Sequence, residues 1–352
     1  MTADRAGGAG DRPADVLIVG ATGFIGSRLA RRLVAHGDRV RVLVRAGSDR
    51  SGLAGLPVEF VVGDLGDPAA LRRAADGVHR VYNCAGLSAD WAPRVEFRRV
   101  NVDGCRNLAR AAGDAGTVRR LLHVSTTDVY GYPARPCDES APPRDIGLPY
   151  SSSKARGELA VREEAAAAGL PLTVIRPVSV YGPGSKDFVV EIAGLLLRGQ
   201  MVHISRGTAP AGLLYVDNAA EAMIAACESA DTVGRAYNLR DTEETTWREY
   251  VAALARGLDV PQPRLSLPRP VAMGVACASE AVYGALRLTS RPLLTRHAVN
   301  LFNRDQSFPV GRAQADFGFK STVTFEEGMR RTLDWLHSAE GRALLPRGRR
   351  DA

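Results

Sequence analysis

A chain of 352 residues that is 45% hydrophobic and 24% charged has ordinary globular composition and is long enough for one large domain or a domain with a smaller lobe. The formal net charge of +7 comes almost wholly from arginines scattered along the chain; with no block of like charge and no basic-aromatic interleaving, nucleic-acid binding is disfavoured. Five cysteines without a C-x-x-C, and without metal-like pairing with the six histidines, argue against a metal site and for a reducing compartment.

The first thirteen residues, MTADRAGGAGDRP, are polar and glycine-rich with no apolar core. They read as a disordered lead-in and not as a signal peptide, so a cytoplasmic protein is expected. Asp15 to Val19 is a short apolar run ending in the glycines of GATGFIG, and SRLARRLVAHG follows with helical spacing at Leu29, Leu33 and Val34. Further strands are predicted at 39–44, 58–64, 80–86, 119–126 and 172–177, with helices such as 101–113 and 151–169 among them. This alternation predicts an α/β architecture: a doubly wound parallel Rossmann sheet over residues 14–180, with later returns near 213–240.

Gly20, Gly23 and Gly26 follow the first strand where a dinucleotide pyrophosphate would dock. Gly20 would permit the turn, Gly23 would let backbone N–H groups approach the phosphates, and Gly26 would allow close helix packing beside a helix N-terminus that favours negative charge. An acid at the tip of the second strand would bind the adenosine ribose and repel a 2′-phosphate. The sequence instead has Val44 and Arg45, with Ser48 and Arg50 nearby, so NADP(H) is favoured and NAD(H) is the alternative. Asp64, after the third strand, could accept from the adenine amino group or cap the next helix. In LPYSSSKARGE, residues 148–158, Tyr150 and Lys154 stand about one helical turn apart and would project from one face. The chain has nine tyrosines but three lysines, so such a pair is seldom met by chance.

With these motifs in place, the sequence resembles an extended short-chain dehydrogenase/reductase, the family that includes nucleotide-sugar epimerases and dehydratases and the 3β-hydroxysteroid dehydrogenase group. GATGFIG, Asp64-Leu65, RVNVDGCRNL, HVSTTDVYG, YSSSK, RPVSVYGPG and LLYVDNAAEA stand in that family's order and spacing over roughly residues 15–335. The resemblance implies that Tyr150 and Lys154 are the catalytic pair. It implies cofactor contacts from Gly20, Thr22, Gly23, Phe24, Ile25, Gly26, Asp64, Leu65 and Ala85, joined by Lys154 at the nicotinamide ribose. Pro177 to Val180 would offer backbone groups to the nicotinamide amide, and Asn101 would brace the sheet beside the cofactor. Chemistry agrees: hydride transfer to a ketone builds charge on its oxygen, and a cation such as Lys154 would bring a phenol's pKa from about 10 towards the working pH.

The family's third member is a hydroxyl that binds the substrate oxygen; aligned on VYG it is Thr126, with Ser125 as the fallback. Sugar-nucleotide 4,6-dehydratases commonly read T-D-E where this chain has Thr126-Thr127-Asp128. Eliminating water needs an acid and a base beyond the tyrosine, and only Asp128 could serve, so dehydration is disfavoured. Cys84 has no base beside it in sequence and reads as a packing residue, not a nucleophile.

After Gly182-Pro183-Gly184 the chain is expected to build a smaller C-terminal substrate lobe from residues 181–212 and 241–338, with a flexible tail at 339–352. YVDNAAEAMIAACES should be a helix capped by Asp217, and GRAYNLR a short returning strand. The apolar run Val271 to Leu288 contains Glu280 and Arg287 and is too short and polar to span a bilayer. It reads as a packed helix of the lobe, with membrane contact or a lid over an apolar ligand as alternatives. Pro292 to Arg296, Phe308 and Ala313 to Phe319 resemble the 3β-hydroxysteroid dehydrogenase branch, which implies an apolar alcohol or ketone. Oxidative enzymes of that branch usually carry an acid at the second-strand tip, so Val44-Arg45 tilts the reading towards NADPH-driven reduction.

The expected activity is an NADP(H)-dependent oxidoreductase interconverting a ketone and a secondary alcohol on a hydrophobic, steroid-like, polycyclic or long-chain substrate. The alternatives are a nucleotide-sugar epimerase or 4-ketoreductase, in which Arg206 or Arg291 would clamp a diphosphate, and a cofactor-sensing protein without chemistry. Helices flanking the sheet could form a homodimer contact, though no periodic signal demands one.

Overall fold

The apolar runs of the first half are buried on both faces: all four residues of 16–19 and all five of 40–44 and 120–124 are shielded from solvent. Such continuous burial belongs to parallel strands covered by helices on either side. In chain order the first half forms β1 (Val16–Val19), α1 (Phe24–Ala35), β2 (Val40–Val44), β3 (Val58–Val62), α2 (Pro68–Ala75), β4 (Arg80–Asn83), α3 (Arg94–Phe97), α4 (Cys105–Asp114), β5 (Arg120–Val124), α5 (Pro149–Ala167) and β6 (Leu172–Pro177). The second half adds β7 (Ser179–Tyr181), α6 (Glu191–Leu197), β8 (His203–Ile204), β9 (Leu213–Tyr215), α7 (Val216–Glu228), β10 (Ala236–Leu239) and α8 (Trp247–Gly257). It ends with β11 (Ser266–Leu267), α9 (Arg269–Ala285), α10 (Arg296–Asn303), α11 (Gly311–Phe317), α12 (Phe325–Leu336) and α13 (Ala339–Leu344). The structure is a computed structural model that describes residues 14–346, so the predicted lead-in and residues 347–352 of the predicted tail lie outside the described residues.

Seven strands make one parallel sheet in the order β10-β6-β5-β4-β1-β2-β3. The order reverses between β1 and β4, and in doubly wound sheets a crevice opens beyond the carboxyl ends of such a pair. Several strands stop short of their predicted ends, before Gly63, Cys84 and Ser125, each of which still gives one last backbone N–H to the neighbouring strand. Two small parallel pairs, β7 with β9 and β8 with β11, lie outside the main sheet.

Four local expectations are corrected. The helix predicted at 101–113 is a π-helical stretch over 98–104 followed by α4, and the wider turn carries the buried Asn101. Asp217 does not cap α7; it forms ion pairs with Arg32 (3.3 Å), Arg331 (3.7 Å) and Arg28 (3.9 Å), tying α7 to α1 and α12. The apolar run at 271–288 packs as a helix by one face only, with Ala272 and Ala276 the buried residues of α9. Within the predicted flexible tail, α13 is capped by Ser338, whose hydroxyl accepts from Gly341 N–H (3.2 Å).

Helix α5 is held to the sheet by a buried charge network. Glu158, fully buried, accepts from Arg176 Nε (3.0 Å) and Nη2 (2.6 Å) on β6 and from Arg162 Nε (3.1 Å). Arg176 Nη1 donates to Tyr130 Oη (2.6 Å), and Tyr130 Oη donates to Asn238 Oδ1 on β10 (2.7 Å). Phe308 stacks on the Tyr130 ring at 5.3 Å. Burial alone would push the Glu158 carboxyl up, but the Arg176 hydrogen bonds and charge, with Arg162, outweigh it and hold the pKa at about 2. Because the folded pKa lies below the ordinary carboxyl value, this stabilisation is full above about pH 4.5 and drains as pH falls towards 2. Glu158→Gln, which strands Arg176, should cost about 3–5 kcal/mol in denaturant unfolding at pH 7, and the gap to the parent protein should narrow as the pH is lowered through that window.

Candidate functional site

The crevice begins at Gly20, which has φ +88°; a Cβ there would lie 2.7 Å from Ala85 N at the end of β4. Gly23 N–H closes the turn on Gly20 O (3.0 Å), and a Cβ on Gly26 would stand 2.2 Å from the same oxygen. Thr22, Phe24 and Ile25 are half-buried around this turn. Gly23 caps α1 with no side-chain hydrogen bond, so the first N–H groups of the helix are left for an anion. A backbone cradle that any side chain would fill, aimed by a helix N-terminus, fits a dinucleotide pyrophosphate.

Around the cradle the predicted contacts are arranged as follows. Arg45 is exposed just after β2, and its guanidinium has no hydrogen-bond or ion-pair partner among the described residues. Arg50 is taken, lying over the Phe60 ring at 4.9 Å. Asp64 Oδ1 accepts from Gly66 N–H (2.7 Å), while the cap of α2 is Asp67, so Asp64 is not the helix cap. The Leu65 carbonyl accepts from Asn107 Nδ2 (3.0 Å). Ala85 N–H donates to Asn83 Oδ1 (3.2 Å), and Asn83 Nδ2 meets His123 Nδ1 (3.0 Å), an imidazole kept neutral by burial at a pKa of about 3. Cys84 has its thiol pushed up to about 12 by burial, which makes it inert. Pro177 closes β6 beside Leu239, and the Val180 carbonyl accepts from Ser185 Oγ (3.3 Å).

Asn101 does not face the cofactor cradle with a free polar atom. Its Oδ1 accepts from Leu87 N–H (2.7 Å), and its Nδ2 donates to Leu87 O (3.2 Å) and Ser153 Oγ (2.9 Å). The amide therefore ties the loop after β4 to the first turns of α5. That loop crosses directly over the lysine: a Cβ on Gly86 would lie 3.7 Å from Lys154 Nζ.

Tyr150 and Lys154 open α5, whose first helical residue is Pro149. Lys154 is buried, with Nζ donating to Val124 O at the end of β5 (2.7 Å). Burial lowers its pKa, opposed by the Cys105 and Cys84 thiols and Glu158. The phenol of Tyr150 is pushed well up, first by burial and then by the carboxylates of Asp128 and Asp187, while the Ser88 and Thr126 hydroxyls pull it down. In the ligand-free structure Nζ is turned to Val124 O, and Lys154 is not among the groups that act most on the phenol. The two hydroxyl candidates part company. Thr126 turns towards Tyr150 and accepts from Asp128 N–H (3.2 Å), whereas Ser125 sits on the opposite side against the Glu158 carboxyl.

Tyr150 borders a cavity of about 440 Å³, walled by Trp91, Leu148, Pro149, Ala281, His297 and neighbouring residues of α9 and α10. His297, which sequence reasoning missed, packs edge-on to the Tyr150 ring at 5.5 Å and 87°. Its Nδ1 meets Tyr132 Oη (3.0 Å) and its Nε2 lies 3.8 Å from Asp128 Oδ2. Nothing in the spacing links residues 150 and 297; only the fold brings them together. Of the two arginines that touch the cavity, Arg296 Nε pairs with Glu280 (2.6 Å), while the exposed Arg94 donates from Nη2 to Gly147 O (3.3 Å) and has no carboxylate partner among the described residues. The two proposed diphosphate clamps do not serve. Arg291 is bound by Asp90 (2.6 Å) and Glu191, and Arg206 does not line the cavity.

Comparison with known proteins adds an independent line. The family model described as NAD dependent epimerase/dehydratase matches residues 16–239. A 2-alkyl-3-oxoalkanoate reductase of Stenotrophomonas maltophilia is 29% identical over 90% of this chain and 97% of its own length. A ceramide reductase of Caulobacter vibrioides is 32% identical over 92% of this chain and 95% of its own. Among solved structures, the dTDP-glucose 4,6-dehydratase DesIV of Streptomyces venezuelae, with NAD and TYD bound, superposes with a TM-score of 0.75 at 25% identity, covering 93% of this chain and 98% of that one.

The cradle geometry can be tested directly. Gly26→Ala, whose Cβ would collide with Gly20 O, should weaken binding of the reduced dinucleotide, NADH or NADPH, measured by fluorescence titration at least about tenfold, whereas Gly274→Ala, which meets nothing within 4 Å, should leave it unchanged.

Proposed function

The chain belongs to the NAD-dependent epimerase/dehydratase family of extended short-chain dehydrogenase/reductases, and from that premise we propose that it reduces the ketone of a hydrophobic small molecule to a secondary alcohol with NADPH. The observation that carries the reading is the Tyr150 phenol bordering a cavity walled by Trp91, Leu148, Pro149 and Ala281, in which Arg296 is neutralised by Glu280 and Arg94 alone has no carboxylate partner among the described residues. A phenol kept protonated by burial, with Asp128 and Asp187 adding to it, holds the proton that reduction of a ketone consumes. A cavity with apolar walls and a single exposed arginine without a carboxylate suits an apolar ketone better than a nucleoside diphosphate. The names of the two reductase relatives support the same reading.

When bound, the dinucleotide supplies the hydride; the remaining work falls to the side chains. The Tyr150 Oη–H donates its proton to the carbonyl oxygen as charge builds there. Thr126 Oγ1 already accepts from Asp128 N–H, which leaves its own proton free to donate to the same oxygen. The buried charge of Lys154 offsets the phenolate that remains. Trp91, Leu148 and Pro149 exclude water and hold the apolar body of the substrate. At the other end of the crevice, the unpartnered Arg45 pairs with the 2′-phosphate and sets the preference for NADPH.

Purified protein should oxidise NADPH with hydrophobic ketones, including 3-ketosteroids and long-chain 3-oxo compounds, and not with 4-keto nucleotide sugars. Turnover with the sugars alone would transfer the assignment to a nucleotide-sugar epimerase or ketoreductase. In Tyr150→Phe the rate should fall about 10²–10⁴-fold while NADPH still binds. Arg45→Ala should raise KM for NADPH about tenfold and leave that for NADH nearly unchanged, and an equal effect on both would remove Arg45 from the 2′-phosphate site.

A further inference from the structure

Seven of the fourteen exposed large apolar side chains among the described residues fall in residues 265–293, so the exposure is concentrated and not scattered as on an ordinary surface. Four of them belong to α9 and its C-cap: Val271 is 51% exposed, Val275 49%, Val282 53% and Leu286 64%. At 100° per residue these four positions fall within about 60° of one another, on a single stripe. The other residues of the stripe, Gly274, Ala278 and Ala285, are also exposed and uncharged. Leu288 and Leu293 continue the apolar surface past the end of the helix.

The opposite face of α9 explains why the stripe points outward. Ala272 and Ala276 pack with Ile204 and Val299 in a small core, and Ser279 Oγ donates to Leu294 O (2.9 Å). Glu280, the one acidic residue between 264 and 296, is turned inward and spent on Arg296. Helix α9 is thus fixed by one side and bare on the other. No helix among the described residues is long and apolar enough to cross a membrane, so the stripe is not a span.

The charge around the stripe selects its occupant. Residues 264–296 hold five arginines, of which Arg291 and Arg296 are paired with carboxylates. Of the other three, Arg264 and Arg287 stand exposed beyond the two ends of α9 with no carboxylate partner among the described residues, while the Nε of Arg269 is buried. An apolar helical face without acids, flanked by free arginines, is complementary to a surface that is oily within and negative at its rim. A second copy of this chain would instead set these arginines against their own symmetry mates unless it supplied acids, and the stripe has none to supply.

We infer that the outer face of α9 docks on the surface of an anionic lipid bilayer, with Val271, Val275, Val282 and Leu286 set among the acyl chains and Arg264 and Arg287 at the headgroup phosphates. The same helix walls the candidate active site through Cys277, Glu280 and Ala281. Docking therefore places the cavity against the bilayer, where an apolar substrate is most concentrated. That last step rests on the proposed ketone reduction; the docking itself does not.

The full chain should co-sediment with vesicles of phosphatidylglycerol and phosphatidylcholine, weakly with phosphatidylcholine alone, and less as salt is raised. The double variant Val275→Asp with Val282→Asp should bind the anionic vesicles at least about tenfold more weakly. Its NADPH affinity and its rate with a water-dissolved ketone should match the parent, which shows that the fold is intact. Absence of binding to either vesicle, or equal binding by the variant, overturns the inference. So does a parent dimer that the variant converts to monomer without vesicle binding, which would give the stripe to a second copy. Vesicle binding without ketone turnover would leave the docking standing and remove the proposed reaction.

Discussion

The buried pair between Glu158 and Arg176 sets the register on which the candidate site depends. The inward face of α5 is made of small residues, among them Ser151, Ser152, Ser153, Ala155, Gly157 and Ala160, and so offers few large knobs to stop the helix sliding. One turn beyond Lys154, Glu158 is gripped by two nitrogens of an arginine rooted in β6, and that grip fixes both height and rotation. Buried ion pairs contribute little net stability against well-packed apolar residues, because desolvation consumes the attraction. What this one contributes is position: Tyr150 and Lys154 can face the crevice in only one way.

Asn101 extends the same constraint to the cofactor side. By holding the loop after β4 and the start of α5 with one amide, it couples the strand end that Gly20 nearly touches to the residues that handle the proton. The tight contact of Gly157, where a Cβ would lie 1.9 Å from Asn101 O, leaves no slack between the two. The electrostatics then follow from placement. Lys154 donates to a backbone carbonyl, and burial, with Asp128 and Asp187, raises the phenol, so the ligand-free site keeps the proton on Tyr150.

The parts of this arrangement that were legible in the sequence are those encoded at short range. The glycine trio, the Tyr-x-x-x-Lys spacing and the alternation of strands and helices each lie within one turn or one strand-helix unit, where geometry follows from periodicity. His297 was invisible because its partners Tyr132 and Asp128 stand more than 160 residues away, and only the docking of α10 over α5 joins them. Asp217 misled because an acid in the first turn of a helix has the look of a cap; three arginines from two other helices claimed it instead. For α9, the pattern of apolar residues is the same whether a face meets a core or is left bare, and the tertiary neighbours alone decide.

The ion pairs of Asp217 also bear on how the chain is made. Helix α1 follows the first strand, yet α7, which packs along it and holds Arg28 and Arg32, ends roughly 190 residues later. At ordinary translation speeds of about 5–20 residues per second, the flank of α1 that receives α7 waits on the order of 10–40 s for its cover. Basic residues on that flank give the nascent segment charge during the wait, and the same charges become its attachment points when α7 emerges. The nucleotide half is therefore written first and finished late.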